Sequence, residues 1–564
     1  MRRVPLLPLE MLGLIVLALL TSRPGKADDT TTQKDHVQTL VDSANSASDN
    51  LGGDLVNANS LGGLAFLTFG LKGDVLQGAL DSKKASNPFE AEDFISRLAG
   101  NTQSEESVAW CGNNALVGFN DSGSFIRTLL PPSPSPSLSF SFNGWSRSTN
   151  AGDSFTDKGI LLSDPVPVGS RFLDLFGDPV LRCTDSSTFY YASLATNTTI
   201  SSGTFSAISV SKSTDGGASF GGAKIAVQMP TASHSLDKPW MAVSRVGGAD
   251  YIHVTYTDFF RGAPCPGAGT SIEYVRSIDG GATWSAPIVL DTVCGSTPFV
   301  QGSQVAVGAV VNATTGVVYA AWESFPNGFG PGRVIKLKKS TNNGATFSTT
   351  AVTVSSVTAV GDGRQVQGLF RTFIDLQGLA VDRSTGKTAG NVYITWHDGR
   401  NANQDDPFAS PGCTTGLPRK YCFGDAVLSR SVDGGATWSP TPIRVNDASP
   451  TLKVDHLFPG IAVDDDGLMA VVFYDRRRDS RNFLIDTFVA TSDDGGLKWQ
   501  NQRVTSNNFA AIHGEDLVVN PAYMGDYLGI AIDALKTHDG MIVAWGDNTR
   551  GDPNVLATKV KKEN

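Results

Sequence analysis

Along most of the chain, short apolar runs alternate with polar turns, and the alternation falls into a three-part phrase. First comes a buried run of an apolar-Ala-Val type: Ser107 to Cys111, Pro179 to Cys183, Trp240 to Ser244, Gln304 to Gly308, Leu379 to Asp382, Ile461 to Asp464 and Ile530 to Asp533. Next comes a run rich in β-branched and aromatic residues. Its copies are Ala115 to Asn120, Phe189 to Leu194, Ile252 to Tyr256, Val317 to Trp322, Val392 to Trp396, Ala470 to Tyr474 and Ile542 to Trp545. Runs of this length and composition between turn residues predict strands. A third strand follows in every unit and leads, in six of them, into an octapeptide. The last third strand, Asn554 to Val560, closes the series without one.

The octapeptides are STNAGDSF from Ser148, STDGGASF from Ser213, SIDGGATW from Ser277, STNNGATF from Ser340, SVDGGATW from Ser431 and SDDGGLKW from Ser492. Each predicts a hairpin tip. In the fifth copy Asp433 can accept from backbone N–H groups two residues on, Gly434 and Gly435 supply positive φ, and Trp438 begins the return strand. The starts lie 65, 64, 63, 91 and 61 residues apart, a fixed period that signals a repeat architecture. A four-stranded unit cannot bury both faces alone, so the units must stack radially. The fold expected is an all-β propeller of seven four-stranded blades, with the octapeptide between third and fourth strands. A six-bladed ring with one unit absorbed elsewhere is the alternative. The last unit lacks an outer strand, which the N-terminal segment can supply to close the ring.

The pattern S-x-D-x-G-x-T-W resembles the Asp box, or BNR repeat, of sialidases, sortilin-type receptors and other β-propellers. The phrases QSEESVAW, WHDGR, FYDRRRD and MGDYLGIA also look like secreted bacterial BNR-repeat proteins often labelled exo-α-sialidase. The resemblance spans about residues 103 to 564 and implies fold more than activity. A sialidase uses three arginines on the sugar carboxylate, a Tyr–Glu nucleophile pair and an Asp acid/base. The nearest match to its opening F-R-I-P is Phe370-Arg371-Thr372-Phe373, without the Pro and four units late. Tyr527 lies in the last unit, where that family keeps its Tyr, but Leu528-Gly529 follows it.

Composition narrows the class. Hydrophobic residues make up 40%, charged residues 18%, and 60 of 564 residues are Gly, which suits many short strands. The net charge of −10 and the lack of a basic run argue against nucleic acid or anionic membranes as partners. Arg2 and Arg3, the apolar run Met11 to Leu20 and Gly25-Lys26-Ala27 read as a signal peptide over residues 1–27. Its four basic residues and one acidic take the charge to −13 on removal. The mature protein is expected to be secreted or periplasmic, with no membrane insertion. Residues 28–102 read as a polar, partly ordered lead-in with a helical look at Pro88 to Leu98, and 103–564 as the propeller.

Six cysteines in an exported chain are expected to pair. Cys413 and Cys422 flank one insertion, Cys265 and Cys294 share a repeat, and Cys111 and Cys183 end equivalent strands, but 15 connectivities are open. No zinc pattern occurs. No cofactor is called for, and calcium is left open as a structural ion.

Carboxylates recur just before the first strands: Glu105, Glu106, Asp178, Asp237, Asp375, Asp455 and Asp526. They could line the rim of a central channel and serve as acids, bases or cation ligands, or merely fix each blade's loop. After the second strands, Asp258, Asp398, Asp475 and Asp547 precede Arg261, Arg400, Arg476 to Arg478 and Arg550, which suggests an ion pair per blade. Residues that break the repeat are the better site candidates: Arg371 with Asp375, His456 beside Asp455, Lys238 beside Asp237, Glu323, Glu515, and Tyr527 beside Asp526. From the fifth to seventh units, the expected site takes Tyr527, Asp526 and Asp375 as catalytic groups and Arg371, Asp455 and His456 as ligand-binding groups. Two functions follow: a propeller binding a glycan or extracellular protein at the channel mouth, or a glycoside hydrolase of exo-α-sialidase type.

Overall fold

The computed structural model describes residues 93–94, 103–121, 141–162, 173–199, 203–312, 315–361, 365–366, 370–372, 374–401, 422–511, 524–549 and 554–561. The signal segment 1–27, the Pro131 to Leu138 loop, Cys413, Glu515 and Arg550 lie outside these residues, as does the side chain of Arg371.

Seven antiparallel sheets form a ring, a seven-bladed β-propeller, and no helix occurs among the described residues. Each blade's innermost strand packs against the innermost strand of the next, and Gln103–Cys111 of the first meets Gly529–Ile532 of the last. Innermost strands of the second to sixth blades are Val180–Cys183, His234–Val246, Phe299–Asn312, Leu376–Val381 and His456–Val463. Every first and second phrase of the sequence falls on an inner strand and its hairpin partner. The seventh blade takes its outer strand from Asp93–Phe94, paired with Leu556 and Ala557. These two residues are a strand where Pro88 to Leu98 reads as helical; an open edge of the last blade offers a ladder that local propensity does not register.

The octapeptides form the tips between third and outer strands. In the fifth, the Ser431 hydroxyl donates to Asp433 Oδ1 (2.7 Å) and accepts from Gly435 N–H (2.8 Å). Asp433 accepts from the Thr437 N–H (2.8 Å), four residues on rather than two, because Ser431 occupies the inside of the turn. Gly434 and Gly435 take φ of 68° and 88°. The tip also staples its neighbour. Lys339, just before the fourth octapeptide, donates to the Gly434 carbonyl at 2.9 Å, and Arg147 and Arg430 do the same for Gly216 (2.7 Å) and Gly495 (3.1 Å). A cation thus caps carbonyls of the next blade in the ring.

Between blades lie the apolar clusters, in which Trp110, Trp322, Trp396 and Trp545 are fully buried. Truncating a buried ring of this size costs about 3–5 kcal/mol. Cys111–Cys183 ties the ends of the first two inner strands and Cys265–Cys294 lies within the third blade. The Asp–Arg pair after the second strand holds for Asp398 with Arg400 (2.8 Å) and Asp475 with Arg477 (2.7 Å). Asp258 instead meets His234 Nδ1 at 2.7 Å, from the adjoining inner strand, and Arg261 is exposed.

Candidate functional site

Inner strands enter the sheet through a bulge. Pairing skips between Ser104 and Ser107, Asp237 and Trp240, Gln301 and Gln304, and Leu457 and Gly460. The skipped stretch turns left-handed, with φ of 59° at Glu105, 47° at Lys238 and 55° at Phe458, and Asp178, just before Val180–Cys183, has 53°. The fourth blade meets this demand with Gly302, at 69°. A non-Gly residue in this region costs on the order of 1–3 kcal/mol and marks places where a side chain must be aimed.

In the first three blades the aimed side chains meet. Lys238 Nζ lies 2.8 Å from Glu105 Oε1, 2.5 Å from Asp526 Oδ2 and 3.7 Å from Asp178 Oδ2. Asn120 donates to Glu105 Oε2 and accepts from the Asp178 N–H, both at 2.9 Å. Asp237 accepts from Gln301 Nε2 at 2.9 Å. Three carboxyl groups therefore share one ammonium, and the Asp237 charge acts on it from close by. Gly525 makes the seventh blade's approach feasible: its φ is 90°, and a Cβ there would lie 2.7 Å from the Glu105 nitrogen.

The cluster is nearly enclosed. Relative exposures are 9% at Lys238, 7% at Tyr527 and 5% at Asp526, the three groups that still meet solvent, while Glu105, Asp178 and Asp237 have 0–1%. Burial works against the Lys238 ammonium, but Asp178, Asp526, Glu105 and Asp237 outweigh it and hold its pKa well above the usual value. Burial, with the Glu105 charge beside it, pushes the Asp178 carboxyl well up. Asp237 is pushed up to about 7 by burial, against the pull of Lys238.

Tyr527 crosses beneath this cluster. Its hydroxyl donates to the Pro179 carbonyl (3.1 Å), Trp240 meets its ring edge-on at 5.4 Å, and Lys238 Nζ stands 5.5 Å from the ring centroid. Burial and the nearby Glu105 and Asp178 push the phenol well above its usual pKa. The Tyr527 ring is thus packed against Trp240 and its hydroxyl is held by the second blade.

The six residues singled out in the sequence separate. Asp526 and Tyr527 join the first three blades. Asp375 is closed off by Arg333 Nη1 (2.5 Å), with His397 Nε2 at 3.1 Å from its other oxygen. Burial opposes its charge, yet Arg333 and His397 prevail and hold the carboxyl below its usual range. Asp455 accepts from the Gly424 N–H (3.0 Å) and Asn482 Nδ2 (2.6 Å), with Arg476 Nη1 at 3.4 Å. His456 Nδ1 lies 3.1 Å from the Gly424 carbonyl, and its Nε2 lies 3.5 Å from Asp475 Oδ2. The combination of Glu105, Asp178 and Lys238 is what the sequence reading missed. Their shared signal is a charged residue two places before Ser107, Val180 and Trp240, where the inner-strand pairing starts or resumes.

No three arginines converge on one point among the described residues. Arg333 pairs with Asp375 of the next blade, Arg476 with Asp455 of its own, and Arg182 lies over Trp240 at 5.6 Å. Nor does any group of three or more ligating side chains suit a metal ion among the described residues. A cleft of about 360 Å³ between the third and fourth blades lies away from this centre, at Asp291, Lys336 and Lys338, with Lys336 and Asp291 already paired at 3.0 Å.

No protein-family model matches the chain, and no curated protein matches it. Among solved structures, an ulvan lyase of polysaccharide lyase group PL25 has 13% identity and a TM-score of 0.42, over 82% of this chain and 94% of that one. A Penicillium chrysogenum α-L-arabinanase bound to arabinobiose has 9% identity and a TM-score of 0.38, over 84% and 99%. A Trypanosoma rangeli sialidase has 13% identity and a TM-score of 0.37, over 68% and 53%. Likeness this distant concerns fold alone and leaves the activity to the site itself.

Proposed function

We propose that the protein is an exported propeller that binds carbohydrate at the mouth of its central channel, over Lys238, Asp526 and Tyr527, and that it does not cleave sialosides. The carrying observation is the set of three carboxyl groups around one ammonium, with left-handed backbone at Glu105, Asp178 and Lys238 in three successive blades. Carboxylates are acceptors, and sugar hydroxyls are the donors that such a rim takes up. A sialoside brings a carboxylate of its own, which calls for free cations; Lys238 is already shared by Glu105, Asp526 and Asp178. Two disulfides support an oxidising compartment.

Glycoside hydrolysis on a sugar without a carboxylate is the second reading, favoured by Asp237, a carboxyl raised to about 7 beside other carboxylates. Such a pair divides into acid and base by environment. A glycan array combined with a sialoside turnover assay tests the proposal. Binding to neutral glycans with no release of sialic acid is expected; sialoside turnover by the purified protein overturns it.

A further inference from the structure

The third strand of the fourth blade, Val334–Ser340, breaks the repeat with lysines. Two places before the octapeptide serine, the other five copies have Ser146, Ser211, Val275, Ser429 and Ala490, each 0–1% exposed. Val275 and Ala490 pack there against the preceding blade. The fourth blade has the half-buried Lys338 instead. Lys336 shares its face, since Ile335 and Leu337 alternate with the lysines and pack toward the fifth blade. Both lysines therefore look toward the third blade, whose outer strand is Ile288–Cys294, and the cleft of about 360 Å³ opens between the two blades.

Charge in this cleft is unevenly matched. Lys336 Nζ donates to Asp291 Oδ2 (3.0 Å), which also accepts from Trp322 Nε1 (2.9 Å), while Asp291 Oδ1 accepts from the Thr292 N–H (3.0 Å). Asp291 and Lys336 thus satisfy each other. Lys338 has no carboxylate within ion-pair distance among the described residues, and the surrounding chain, 288–294 and 334–356, is described throughout. Thr349, Thr350 and Thr353 also line the cleft; all three are exposed, and a hydroxyl both donates and accepts.

We propose that this cleft is a second ligand site, taking a sugar residue with one negative charge, a uronate or a sulfate ester. Its anion meets the Lys338 ammonium and its hydroxyls meet the threonines. The site lies on third and outer strands, and it does not rest on the reading given for the channel mouth. Its volume falls in the range of small-ligand sites, about 300–1,000 Å³, so a lone inorganic anion leaves much of it to water. A neutral sugar leaves the ammonium unmatched, and a phosphate monoester brings up to about two charges to one free cation. A lysine is a point charge without the fork that selects carboxylate geometry, so uronate and sulfate ester suit it alike.

Titration calorimetry of the mature protein at low salt tests this, with trigalacturonate and a sulfated galactose trisaccharide. Each is run beside its neutral counterpart, the methyl ester or the desulfated sugar, and inorganic sulfate is run alone. At least one acidic trisaccharide is expected to bind at least about tenfold tighter than its counterpart. Lys338→Gln should remove that preference, Lys338→Arg should keep it, and Asp526→Asn should leave it unchanged. Which acid binds identifies the source of the anion. No preference for either acid, or a preference that survives in Lys338→Gln, overturns the proposal. Inorganic sulfate binding as tightly as the trisaccharides reduces the cleft to an anion site and overturns the sugar. Loss of the preference in Asp526→Asn alone puts the acid at the channel mouth and overturns the second site. Neutral-glycan binding, on which the channel-mouth reading depends, is scored separately on the same variants.

Discussion

The Tyr527 hydroxyl donates to the Pro179 carbonyl at 3.1 Å, joining the seventh blade to the second past the entry of the first. Ring closure makes this contact possible between residues 348 apart in sequence. Because the ring also packs on Trp240, removing only the hydroxyl separates the hydrogen bond from the packing. Tyr527→Phe is expected to cost about 1–2 kcal/mol, for a buried carbonyl left unpaired, and Tyr527→Ala about 3–5 kcal/mol. Chemical denaturation reads both. A Phe variant of unchanged stability that abolishes turnover of any glycoside would restore a reactive phenol.

Asp237 links the same site to pH. Its carboxyl rises from an ordinary 3.8 to about 7 on folding. A raised carboxyl favours the folded state fully below about 3.8, and that contribution is lost as pH climbs through 7. About three units corresponds to at most about 4 kcal/mol. The fall in stability between pH 4 and pH 8 should therefore shrink by about 2–4 kcal/mol in Asp237→Asn, whose amide oxygen can still accept from Gln301. Parallel urea-denaturation curves for the two proteins across that range would show that Asp237 ionises without penalty.

The Cys111–Cys183 bond clamps the first two inner strands, closing 72 residues of chain. Replacing both with Ser is expected to cost about 2–5 kcal/mol. Cys422 is likewise disulfide-bonded, and Cys413 is expected as its partner, which peptide mapping without reductant should show as one linked fragment. Finding Cys413 as a free thiol in the exported protein would refute that pairing.

The fold was legible because every blade repeats its apolar phrases and six of the seven carry the octapeptide, and a period of that kind permits few architectures. Much of the site was not. Asp375 and Asp455 look like Asp526 in sequence, each an acid before an inner strand. Only the fold reveals that Arg333 and Arg476 neutralise the first two, whereas Asp526 reaches Lys238. Proximity in sequence suggested the fifth to seventh units as neighbours. They are neighbours in the ring, but its closure also puts the end of the chain beside its beginning, and long side chains aimed inward meet across that seam. The left-handed turns at Glu105, Asp178 and Lys238 follow from a bulge that no local pattern announces.

Ligand binding over Lys238 can be measured directly. Affinity for the strongest glycan-array ligand should be measured for Asp526→Asn and for Asp433→Asn, the latter on an octapeptide tip between the third and outer strands of the fifth blade. A loss of at least about tenfold in Asp526→Asn, with Asp433→Asn equal to the unmodified protein, is the predicted result. Undiminished affinity in a folded Asp526→Asn variant would contradict a binding site at the channel mouth.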